Sequence, residues 1–218
     1  MIELSLADIL SFLLLAARWT VLLSVIAFVG GGIGALLLLL LRYARPRFGS
    51  GFMRVYVEFF QGTPFLLQLF LIFFGLPKLG MDVSPLMAAT IGLTLYASAF
   101  LAEIWRGCVD AIPRGQWDAS ASLGMNFIQQ MRDVILPQSL KIAIPPTVGF
   151  LVQLVKNTAV TSIVGFHELT KAGNVINNAT FQPFITYSLV ALIYFAMCFP
   201  LTFWSRRLER RLTPTGHR

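Results

Sequence analysis

Charged side chains are scarce in this chain. Asp, Glu, Lys and Arg make up 12% of its 218 residues, against 56% hydrophobic residues and a mean hydropathy of +0.74. Soluble domains carry roughly 25% charged residues, so the shortage excludes a soluble fold and points to a single all-α membrane domain over 1–218. Cysteine is nearly absent. Cys108 and Cys198 lie far apart, in or beside apolar runs, which excludes a disulfide framework and suits two buried thiols. His167 and His217 have no carboxylate or cysteine at ligand spacing, so no metal site is expected. Ser and Thr in the apolar runs lack a base partner at recognisable spacing, which disfavours hydrolytic chemistry. The segment MIELSLAD has no Lys or Arg, so it lacks the basic region of a cleaved signal peptide, and the first apolar segment is expected to stay.

The net charge is +7, but the cations cluster at the ends of apolar runs, where membrane topology explains them better than nucleic acid does. Five spans are expected, at about 19–41, 55–76, 85–108, 147–165 and 183–204. Residues 1–18 read as an interfacial segment ending at Arg18 and Trp19. Gly30, Gly31, Gly32 and Gly34 are followed by leucines and not by Lys-Ser/Thr, so they read as helix-packing glycines and not as a phosphate loop. The second span opens on Glu58, Gln61, Thr63 and Pro64, with a proline kink near its inner end. The third is rich in small residues, Ala88, Ala89, Gly92, Ala97, Ser98 and Ala99, as close packing requires. Pro145-Pro146 opens the fourth and most polar span. Residues 166–182 read as an outer loop with Glu168 and Lys171 on a solvated face.

Orientation follows from the cations. The segments 42–54, 106–141 and 206–218 hold thirteen Lys and Arg, against Lys78 and Lys171 on the other side. The expected arrangement is N-terminus outside and C-terminus inside, with a cytoplasmic loop at 109–145 and a cytoplasmic tail at 205–218.

That loop contains the most polar stretch, RGQWDASASLGMNFIQQMRDVILP at 114–137. Leu123, Phe127 and Met131 recur every four residues, giving a helix with one apolar edge. Gly124 interrupts it and suggests a turn or close contact, and Pro137 is expected to end it. An amphipathic hairpin held between spans suits docking onto a soluble partner, and an ordinary solvated connection fits the same pattern.

Asp118-Ala119-Ser120, then Gly124, then Val134-Ile135-Leu136-Pro137 resembles the Glu-Ala-Ala…Gly…Ile-x-Leu-Pro motif of ABC importer permeases, with the same spacing. Asp replaces Glu, Ser replaces Ala and Val replaces Ile. GTPFLLQLF at 62–70, AEIWRG at 102–107, LPQSLKIAIPP at 136–146 and SIVGFHEL at 162–169 resemble the polar amino-acid, histidine/glutamine permease-like subfamily, although Gln61 stands where an Arg is usual. The resemblance implies a type I importer permease fold in the bacterial inner membrane, with a coupling helix between the third and fourth spans. It assigns ATPase coupling to Gly115, Asp118, Ala119, Ser120, Gly124 and Pro137. It implies a separate ABC ATPase subunit that carries ATP and Mg, a second permease copy or paralogue, and a periplasmic solute-binding protein. The chain itself would hold no cofactor and perform no covalent chemistry.

Lys156 lies about 15 Å into the fourth span, where an unpaired lysine costs about 2.5–3.5 kcal/mol or more. Glu103 is within roughly 8 Å of it in depth, so either an ion pair or a cavity for the charged ends of a zwitterion accounts for both. Gln153, Asn157 and Thr63 complete the candidate substrate site. In the resembling permeases an acid often follows this lysine, and Asn157 removes that charge, which favours a neutral or acidic cargo such as glutamine or glutamate. The alternatives are an ion- or proton-coupled carrier using Glu103, against which no inverted repeat is found, and a non-transporting membrane scaffold.

Overall fold

Small residues decide how the helices assemble. The computed structural model describes residues 5–212, and every regular element among them is helical. The order begins with α1 (Leu6–Ala44), α2 (Pro46–Gly62) and α3 (Phe65–Phe70), which continues through a π-helical turn at Leu71–Gly75 into α4 (Leu76–Lys78). Then come α5 (Pro85–Asp110), α6 (Arg114–Ser122) and α7 (Phe127–Gln129). A second π-helical turn at Gln130–Ile135 leads into α8 (Leu136–Asn157), which tightens to a 3-10 helix at Thr158–Val164 before α9 (Leu169–Thr180) and α10 (Pro183–Leu212). Four helices are long and apolar enough to cross a membrane, and α2 with α3–α4 makes a fifth span if the bent pair is counted as one.

The central helix is α5, packed against α1, α2 and α8. Ala88, Ala89, Gly92, Ala97, Ser98 and Ala99 are all buried on it. The α1 glycines meet this surface. A Cβ added at Gly31 would sit 2.4 Å from the Ala97 Cβ, and one at Gly34 would sit 2.8 Å from the Ser98 Cβ. Close approach of the two backbones is therefore the function of the glycine run, as its leucine-rich context predicts.

Several boundaries differ from the sequence expectation. No break separates an interfacial segment from the first span. Ser5 caps α1 through a reciprocal capping box with Asp8, and the helix runs unbroken through Arg18 and Trp19. At about 1.5 Å per residue its 39 residues extend about 58 Å, well beyond a hydrocarbon core of about 30 Å. The kink expected at Pro64 is a 104° bend between α2 and α3. Gln68 holds that bend, donating from Nε2 to the Phe60 carbonyl at 2.9 Å and to the Thr63 carbonyl at 3.0 Å. The expected loop at 166–182 contains the helix α9.

Pro137 does not end its segment, and Pro145-Pro146 lie inside a helix and not at its start, because one helical run passes from Phe127 to Val164. Proline lacks an N–H for the carbonyl four residues back and its ring crowds that carbonyl. At Pro137 that carbonyl belongs to Asp133, inside the π turn, whose wider path accommodates the ring. Pro77 repeats the arrangement with Phe73 in the Leu71–Gly75 π turn. Residues 1–4 of the N-terminal segment and 213–218 of the tail, including His217, lie outside the described residues.

Candidate functional site

Two hydrogen bonds align the helices at one level. Ser205 Oγ donates to the Pro145 carbonyl at 2.8 Å, and Trp105 Nε1 donates to Thr147 Oγ1 at 3.0 Å. Lys156 lies farther along α8, about 16 Å from Pro145 at about 1.5 Å per residue. Gln153 and Lys156 are exposed on the same turn, Asn157 is half-buried, and Gln153 Nε2 donates to Asn157 Oδ1 at 3.3 Å. These three candidates lie together on α8, but of them only Lys156 lines the cavity beside it.

Lys156 faces a cavity of about 350 Å³ between α8 and α10. Tyr194, Cys198, Thr202 and Arg206 supply the rest of its polar lining, and Phe195, Phe199 and Phe203 the apolar part. The volume lies at the small end of the roughly 300–1,000 Å³ typical of small-molecule sites. No carboxylate lines it among the described residues, so it presents two cations and no anion. The sequence reading missed this α10 stripe, although residues 194, 198, 202 and 206 recur every four positions and share one helix face.

The other two candidates are elsewhere. Glu103 does not pair with Lys156. Both of its oxygens meet the Arg106 guanidinium, with Arg106 Nε to Oε2 at 2.9 Å, and Arg106 also reaches Asp110 at 2.5 Å. The Trp105–Thr147 bond explains the separation, since Glu103 is two residues from that level and Lys156 nine, leaving roughly 10 Å of depth between them. Thr63 sits at the α2–α3 bend, where its hydroxyl donates to the Phe59 carbonyl at 2.7 Å and accepts from Gln68 Nε2 at 2.9 Å. It does not line the Lys156 cavity.

Glu168 is a further correction. It is fully buried at the N-cap of α9 and not on a solvated face. Oε1 accepts from the Lys171 N–H at 2.9 Å, and Oε2 accepts from the Thr170 N–H at 2.9 Å and from the Tyr194 hydroxyl at 2.7 Å. Burial pushes its carboxyl above the usual range, and the Thr170 N–H and the Tyr194 hydroxyl oppose that shift.

In the polar stretch at 114–137, α6 ends at a turn in which Gly124 adopts φ +74°, a left-handed conformation that bulkier residues disfavour. The expected turn is therefore present, and it divides the apolar edge. Met131 is buried with Val109, Ile112 and Ile135, whereas Leu123 and Ile128 are 80% and 74% exposed. Gly115, Asp118, Ala119 and Gly124 are exposed, and no atom lies within 4 Å of a Cβ placed at either glycine. Ser120 points inward, donating to the Trp117 carbonyl at 2.9 Å. Pro137 is exposed at the start of α8, beyond the π turn.

Residues 29–214 match the family described as binding-protein-dependent transport system inner membrane component. In Bacillus subtilis (strain 168), "Probable amino-acid ABC transporter permease protein YckA" is 34% identical over 88% of this chain and 85% of its own length. "Probable glutamine ABC transporter permease protein GlnM" from the same organism is 38% identical over 72% of this chain and 73% of its own. Among solved structures, a crystal structure of an amino acid ABC transporter with histidines superposes with a TM-score of 0.89 at 30% identity, covering 96% of this chain and all of that one. The helical architecture, the coupling motif and these likenesses converge: the chain belongs to the inner-membrane component family of binding-protein-dependent transport systems, as a multi-pass amino-acid ABC importer permease and not an enzyme.

Proposed function

We propose that this permease carries a polar amino acid with a neutral or acidic side chain, glutamine or glutamate, into the bacterial cytoplasm through the Lys156 cavity. The lining of that cavity carries the proposal. Lys156 offers a cation to the cargo's carboxylate, Arg206 adds a second positive charge at the Pro145 end about 16 Å away along the helices, and among the described residues no acid lines the cavity to hold a cationic side chain. Asn157, one residue on and outside that lining, places an uncharged amide where the resembling permeases often have an acid. An arginine- or lysine-like cargo would bring a side-chain cation in addition to the α-ammonium that every amino acid carries, and like-charge repulsion in a partly desolvated space opposes that extra charge.

The thirteen-to-two distribution of cations supports an outside N-terminus and an inside C-terminus, with α6 in the cytoplasm. The exposed Leu123, Gly124 and Ile128 then offer an apolar, knob-like turn to an ATPase subunit, and this surface is where ATP-driven closure would be received. A second permease, a copy or a paralogue, completes the pathway, and a periplasmic binding protein delivers cargo to the opposite face. Alternation between inward- and outward-open states follows from moving the helices that bear the cavity.

Cargo class is tested by ATPase stimulation of the complete reconstituted importer. Glutamine or glutamate is expected to stimulate hydrolysis at least about tenfold more effectively than arginine, the ratio that about 1.4 kcal/mol of charge discrimination gives. Stimulation by arginine alone refutes the reading. Coupling is tested separately: Gly124→Trp is expected to leave membrane insertion intact and to abolish cargo-dependent ATP hydrolysis. Normal uptake by that variant would remove α6 and its turn from the docking surface.

A further inference from the structure

We propose that Glu168 is a positioning residue for cargo recognition, acting through Tyr194 to hold one wall of the Lys156 cavity in place. The inference rests on the reading of that cavity as the cargo site. Glu168 is 0% exposed and receives hydrogen bonds from two backbone N–H groups of its own helix and from Tyr194 on α10. Thr20 on α1 approaches from the third side: its Oγ1 lies 3.4 Å from Oε2 and accepts from the Leu169 N–H at 3.2 Å. One carboxylate thus joins α1, α9 and α10.

Tyr194 stands at the junction. Its hydroxyl donates to Glu168 and lies 3.1 Å from Thr170 Oγ1, while the residue lines the cavity shared with Lys156. It also packs against two separate apolar clusters, one formed by α1, α9 and α10 around Leu169, the other by Val152, Val155 and Cys198 beside the cavity. A carboxylate suits this place because it accepts every bond offered and donates none. A neutral amide of the same shape would turn an N–H₂ toward existing donors and release the ring. Helix capping alone needs only the two backbone contacts, so the bond to Tyr194 is the part of the network that the cavity uses.

The test compares Glu168→Gln, Tyr194→Phe and the double variant in the complete importer in proteoliposomes, following labelled glutamine and glutamate per assembled complex. Each single variant is expected to raise the KM for uptake about tenfold with the maximal rate within about twofold of the parent. The double variant is expected to be no worse than the more severe single, because both remove one shared bond. A KM within twofold of the parent in Tyr194→Phe, or single effects that multiply in the double, overturns the link. Tyr194→Phe keeps the ring and leaves the cap untouched, so it decides the matter even if Glu168→Gln assembles poorly. Lys156→Met, run alongside, separates the two levels. A raised KM there with parental values for the other variants defeats the link alone, and a parental KM there defeats the cavity reading and the link together.

Discussion

Gly31→Val is expected to prevent stable assembly of the bundle. The first atom of any side chain at this position would sit 2.4 Å from the Ala97 Cβ and 3.1 Å from backbone atoms of Ala97 and Ser98. Rotamer changes cannot relieve a clash with Cβ and backbone, so α1 and α5 would have to separate, losing contact along Ala27, Gly31 and Ala35 on one side and Leu93 and Ala97 on the other. Overpacking a core costs about 1–3 kcal/mol and more where backbone must move. Against a stability of about 5–15 kcal/mol, a penalty at the top of that range takes up to about 60% of the margin, and a backbone separation that costs more brings the fold to its limit. The measurement is the thermal midpoint and monodisperse yield of detergent-extracted protein. Gly62→Ala is the control, since nothing lies within 4 Å of the added atom, and its cost is expected to stay below about 1 kcal/mol. A Gly31→Val midpoint within about 2 °C of the parent would mean that the α1–α5 approach is not a determinant of the fold.

Lys156→Met is expected to have opposite effects on stability and transport. Methionine matches the lysine stem in length and removes a charge whose place within a span costs about 2.5–3.5 kcal/mol when unpaired. Among the described residues no carboxylate forms an ion pair with Lys156, so nothing is orphaned by the change. The variant should therefore be at least as thermostable as the parent. Its uptake should fall, because a charge-assisted bond to the cargo's carboxylate is worth about 1.5–3 kcal/mol, which corresponds to a KM higher by roughly 10- to 150-fold. A variant that unfolds more easily would assign Lys156 a structural role. Unchanged KM would remove it from the cargo path.

The two residues also mark what could be read from sequence. Gly31 was legible because small residues recur in both α1 and α5, and in a membrane their only strong use is close packing. The depth of Lys156 was legible because helical rise is constant. Its partner was not. Depth arithmetic brought Glu103 near, but the Trp105–Thr147 bond that sets the relative level of α5 and α8 is a tertiary contact with no sequence signature. The α10 lining at Tyr194, Cys198, Thr202 and Arg206 carried a signal that a span-by-span hydropathy reading suppresses, since the first three hardly lower the average and Arg206 falls beyond the span, in the tail. Glu168 misled for the opposite reason. An acid beside His167 and before Lys171 reads as solvated, and only the fold reveals donors from α1 and α10 around it. Pro137 misled through a rule that holds for ideal α-helix, and the π turn at Gln130–Ile135 provides the exception.

The unbroken run from Phe127 to Val164 couples more than position. Each residue of an α-helix advances the azimuth by about 100°, so within α8 the direction in which Lys156 points is fixed relative to that of Pro137 at the start of the helix. A twist applied at the Pro137 end would re-aim the ammonium around the shaft, as well as shift it along the helix axis. Rotation of a single axle is thus available as the stroke, and the number of residues between its end and the charge sets the angle between them.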